Sequence, residues 1–106
     1  MRNAEAASAC IRGRDAWGKA RICRIGGETA VQLCLTARDW CDGMCRVYLQ
    51  DGRSGQIELP GLPLWDGEGK MTYLEGRLTP WQAAGMRICV GAPRGGGVAW
   101  GEFQWR

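Results

Sequence analysis

Six cysteines (Cys10, Cys23, Cys34, Cys41, Cys45 and Cys89) and no histidine define what chemistry is open to this 106-residue chain. The closest thiol pair is Cys41-x-x-x-Cys45, with Cys34 as a third candidate zinc ligand. Without histidine a zinc site needs four thiolates, and zinc knuckles use tighter spacings in paired sets. The cysteines therefore read as small apolar fillers in strands, and no cofactor is expected. A nucleophilic thiol needs a base or a cation beside it. Cys23-Arg24 and Cys45-Arg46 do not supply one, because adjacent residues of a strand face opposite ways. The carboxylates Asp39, Asp42, Asp51, Asp66, Glu68 and Glu75 sit mostly in or beside turns, where they accept local hydrogen bonds. The run from Pro93 to Gly97 is glycine-rich, but a strand follows it and not the Lys-Ser/Thr and helix of a phosphate loop. The expectation is a chain that is not an enzyme.

Binding is the remaining chemistry, and tryptophan carries it. There are six tryptophans, and 14 basic residues face 11 acidic ones for a net charge of +3. Trp17, Trp40, Trp65 and Trp81 fall beside turns or strand ends, whereas Trp100 lies within a strand and is expected in the core. Trp, Tyr and Arg dominate interface hot spots, so the candidate binding residues are Trp40, Trp65, Trp81, Tyr48, Arg46 and Arg87. The expected partner is another protein. The same residues could stack on nucleic acid or carbohydrate, and a homodimer through an edge strand is a further option.

These side chains must be positioned by strands. Strand-like alternation recurs over residues 19–25, 29–35, 44–49, 56–59, 70–74, 86–90 and 98–103. Glycine pairs and Asp-Gly turns separate them, and Gly26-Gly27 predicts a hairpin. Pro60 is expected to end the fourth strand, since it cannot donate to a ladder. Thr79-Pro80 through Gly85 has the cap, the N1 proline and the terminal glycine of one helical turn. The inward set is Val31, Leu33, Leu35, Val47, Leu49, Ile57, Ile88 and Val90. The fold class is thus all-β, a small sandwich or barrel of about seven mostly antiparallel strands with a short helical turn near 79–85. Residues 1–17 are expected to be poorly structured, and 18–106 to form a single β domain.

From about Gly18 to Phe103 the chain has a characteristic layout. It comprises Lys-Ala-Arg-Ile-Cys-Arg, Val-Gln-Leu-Cys-Leu, Arg46-Val47-Tyr48-Leu49 before Asp51-Gly52, and Met86-Arg87-Ile88-Cys89-Val90 before a glycine-rich loop. It resembles the small immunoglobulin-like sandwich at the C-terminal end of bacterial anti-sigma factors. The resemblance implies a non-catalytic sandwich and carries over no functional residue. The expected function is a non-catalytic protein-interaction domain, such as a small bacterial or phage regulator or inhibitor. A nucleic-acid- or carbohydrate-binding module is the alternative. No apolar run reaches the ~18 residues of a membrane span. The first residues lack a signal-peptide core, so the expected location is the cytoplasm, with the cysteines as free thiols.

Overall fold

Alternating apolar residues make nine strands, and a capped turn makes the one helix, in a computed structural model that describes residues 6–52 and 55–105. The strands are β1 (Ala6–Gly13), β2 (Ala16–Ile25), β3 (Glu28–Ala37), β4 (Gly43–Gln50), β5 (Gln56–Leu64), β6 (Glu68–Glu75), β7 (Arg87–Gly91), β8 (Val98–Glu102) and β9 (Gln104–Trp105). The helix α1 (Pro80–Ala83) follows β6. Thr79 caps its start as expected, and the structure adds a reciprocal capping box: the Gln82 amide donates to the Thr79 hydroxyl, and the Thr79 amide donates to the Gln82 side chain. None of the described helices is long and apolar enough to cross a membrane.

All pairings are antiparallel, in the order β5-β4-β7-β8-β1-β2-β3-β6, with β9 also on β1. The two ends of this path are sequence neighbours, so the sheet curls into a nearly closed barrel. The β5–β6 seam is joined at its tight turn, where Trp65 bridges Glu68 and Asp66 and Gly67 take positive φ. At the far end of the seam the Arg77 guanidinium donates to the Glu58 carbonyl at 3.2 Å. Between these two points Ile57, Met71 and Tyr73 are only partly buried against the core.

The core is the barrel interior. One parity of every long strand points inward: Ala7, Ala9 and Ile11 of β1; Ala20 and Ile22 of β2; Val31, Leu33 and Leu35 of β3; Val47 and Leu49 of β4; Ile88 and Val90 of β7. Phe103 is the largest fully buried side chain. The expected inward set is buried as read, except that Ile57 packs at the rim of the core and is only half buried. Two glycines let backbones approach where the sheet bends. A Cβ on Gly18 would lie 2.0 Å from the Cys34 carbonyl oxygen, and one on Gly101 would lie 2.1 Å from that of Cys10.

Three expectations are corrected. Residues 6–17 are not poorly structured: β1 fills Ala6–Gly13 and pairs with β2 along its length. Alanine is a weak strand former, which hid the inward alternation of Ala7, Ala9 and Ile11; residues 1–5 lie outside the described residues. Pro60 does not end β5. The register shifts there, with Cys45 opposite Leu62 and Val47 opposite Leu59, so that Pro60 and Gly61 form a bulge against Arg46. Trp100 is not in the core but outward, 46 % exposed, because Ala99, Gly101 and Phe103 take the inward parity of this segment.

Candidate functional site

The strand registers assemble an outward row that runs across five strands. Tyr48 of β4 pairs with Cys89 of β7, Cys89 with Trp100 of β8, Trp100 with Arg12 of β1, and Arg12 with Trp17 of β2. Trp17 and Trp100 are each 46 % exposed and are separated by one strand bearing Arg12. Guanidinium groups lie against the rings: Arg87 is 4.1 Å from the Trp100 ring centroid, Arg46 is 5.0 Å from Tyr48, and Arg38 is 5.9 Å from Trp17.

A second outward row lies beside it. Cys10 of β1 pairs with Lys19 of β2, Lys19 with Cys34 of β3, and Cys34 with Lys70 of β6. Here both lysines of the chain flank one exposed thiol. A groove of about 720 Å³ runs over this row, bounded by Trp17, Arg12, Lys19 and Lys70 and floored at Gly18 and Gly69. A second groove continues from Cys10, Lys19 and Cys34 to Arg21, Gln32 and Gln104.

Charge on this wall is uneven. Arg12, Lys19, Arg21, Arg38, Lys70 and Arg87 make no ion pair among the described residues, and only Glu68 and Glu102 of the same grooves and rows oppose them. These rows and grooves thus carry net positive charge, with Glu28 of β3 as a third exposed carboxylate on the same strands. Two further carboxylates are neutralised locally. Glu58 receives both Nε and a terminal nitrogen of Arg46, which holds its carboxyl below the usual range. Glu75, nearly buried, is bound by Arg77 and is likewise held low.

Of the six residues expected from sequence, Tyr48, Arg46 and Arg87 come together on neighbouring strands β4 and β7, at the edge of this wall. Trp40 and Trp65 lie at the barrel end formed by the β1–β2, β3–β4, β5–β6 and β7–β8 connections. That end is tied by the Asp66 amide donating to Asp42 and the Arg38 amide donating to the Asp15 carbonyl. Trp40 is half buried beneath Gly97, where a Cβ would lie 2.7 Å from its indole nitrogen, whereas Trp65 is 75 % exposed. Trp81 is at the opposite end on α1, near Arg24. Sequence reasoning missed Arg12, Trp17, Lys19, Arg38, Lys70 and Trp100. Trp17, Lys19 and Arg21 share one parity opposite Gly18, Ala20 and Ile22, a signal that was present in β2.

The thiols divide by position. Cys45 is fully buried and its pKa is pushed up to about 11 by burial; burial also raises Cys89. Cys10, Cys34 and Cys41 are exposed, and none of the six is in a disulfide. Cys34, Cys41 and Cys45 do not converge, and the described residues contain no cluster of three metal-ligating side chains. No known protein family matches the chain, and no curated protein matches it.

Proposed function

We propose that this chain is a non-catalytic β module that binds nucleic acid on the outer wall of β7, β8, β1, β2, β3 and β6. One observation carries the reading: six unpaired cations against the three carboxylates Glu28, Glu68 and Glu102 on a wall that also exposes Trp17 and Trp100 in one row. Unpaired guanidinium and ammonium groups neutralise phosphates, and exposed indole faces stack on bases. Arg87 lies against the Trp100 ring, so a guanidinium and an indole sit together on the wall.

The protein-interaction reading, as a small regulator or inhibitor, is favoured by a different feature. Trp65 stands far into solvent at the barrel end that also holds the half-buried Trp40. Fluorescence anisotropy with a labelled oligonucleotide separates the two. Trp17→Ala and Arg12→Gln should weaken binding at least tenfold while Trp65→Ala leaves it unchanged. Failure to bind any oligonucleotide at low salt would overturn the nucleic-acid reading.

A further inference from the structure

Resting on the nucleic-acid reading above, we infer that the ligand is a single strand, laid across the strands along Lys70–Cys34–Lys19–Cys10 with a base against Trp17. The path is set by register. Four adjacent strands contribute one outward residue each, so lysine alternates with cysteine. Cations stand at the first and third places, Arg12 stands one row aside on β1, and the line reaches Arg87 on β7 past Glu102 of β8. From β7 to β6 this spans five strand gaps, roughly 24 Å along the sheet at about 4.8 Å each. That is room for about four nucleotides, the lower end of single-strand sites on small barrels.

Among the described residues no helix is long enough to read a duplex groove. Sequence readout in the major groove takes an α-helix or a two-stranded ribbon that projects into it. Here α1 has four residues, sits at the barrel end opposite Trp65, and caps on its own Thr79. The exposed Trp17 and Trp100 can be used only by bases whose faces are free, and a duplex buries those faces in its stack. The groove lies between Trp17 and the two lysines, open to a sugar or base.

The two wall thiols are built-in reporters. Cys10 and Cys34 line the groove, while Cys41 is equally exposed but lies outside it in the β3–β4 loop between Asp39 and Asp42. The full chain is titrated with a labelled oligothymidine of about twelve nucleotides, a length that covers one such site, and with the matching duplex. In parallel it is alkylated with iodoacetamide, and each cysteine is read by mass spectrometry. The expected result is binding of the single strand, at least tenfold weaker binding of the duplex, and protection of Cys10 and Cys34 but not Cys41. Four phosphate contacts give a log–log salt slope of about −2.8, so affinity falls about fifty-fold between 50 and 200 mM salt. Removing two contacts in Lys19→Gln/Lys70→Gln cuts that fall to about sevenfold. Duplex bound as well as single strand would overturn this inference and leave the proposed function standing. Single strand bound with Cys34 unprotected would overturn the path. Equal competition by polyglutamate would overturn it in favour of an acidic protein partner. Loss of all oligonucleotide binding would overturn both readings.

Discussion

Arg77→Met tests how the open seam of the barrel is held. The Glu75 carboxylate is only 4 % exposed and accepts three bonds from Arg77: the backbone amide at 2.8 Å, Nε at 2.8 Å and a terminal nitrogen at 2.7 Å. The same guanidinium reaches across to the Glu58 carbonyl on β5. Methionine keeps the apolar stem and the amide bond but removes every guanidinium contact. Charge-assisted bonds are worth about 1.5–3 kcal/mol each, but the Arg77 side chain is 55 % exposed, so solvent screening reduces their sum. The expected loss at neutral pH is about 2 kcal/mol, or about 8–16 °C in Tm for a domain of this size. The loss is pH-dependent. Arg77 holds the folded Glu75 below its usual value, so that stabilisation is present above the ordinary carboxylate pKa and disappears as pH falls through the folded one. In the variant, burial, which favours the protonated carboxyl, is opposed by the retained amide bond alone. The gap between variant and wild type should therefore narrow below about pH 5. Adding Glu75→Gln removes the stranded charge and should recover at least half of the loss. Urea denaturation from pH 4 to 8 measures all three. A loss under about 0.5 kcal/mol, within the range of ordinary surface changes, or a double variant no more stable than the single one, would refute the argument.

Thr79→Ala removes the reciprocal cap of α1 and should cost about 1 kcal/mol in urea denaturation, with the oligonucleotide affinity unchanged because α1 lies off the wall. Gly101→Ala drives a Cβ into the Cys10 carbonyl and should cost about 1–3 kcal/mol or more. By contrast Gly76→Ala, which meets nothing within 4 Å, should be tolerated in the same assay.

Much of the fold was legible because the rule for a half-buried strand is local. Val31, Leu33 and Leu35, or Ile88 and Val90, announce their inward face by alternation with polar neighbours. The Thr79 cap is equally local. What hid β1 was size: near the tight bends at Gly18 and Gly101 the barrel interior takes alanine and glycine, which sequence patterning treats as neutral. Trp100 was misplaced for a related reason. A tryptophan between alanine and glycine attracts a core reading, yet the inward parity belonged to the small residues and to Phe103. The wall itself was beyond reach from one sequence. It exists because β1 pairs with β8 and β4 with β7, contacts between segments tens of residues apart that no local pattern encodes. Only those registers bring Tyr48, Trp100, Arg12 and Trp17 into line.

The pairing of β1 with β8 also has a consequence for how the chain is made. β2 and β3 can fold back on β1 as they leave the ribosome, but the other edge of β1 waits for Val98–Glu102, far along the chain. Until then a strand of alanines shows a free hydrogen-bonding edge to its surroundings, and the meander β1-β2-β3-β6 is an open, unrolled ribbon. Its outward charges, Arg12, Lys19, Arg21 and Lys70, are already in place on that ribbon. Like charges repel neighbouring nascent copies, so the residues assigned here to ligand would also keep half-made chains apart during synthesis.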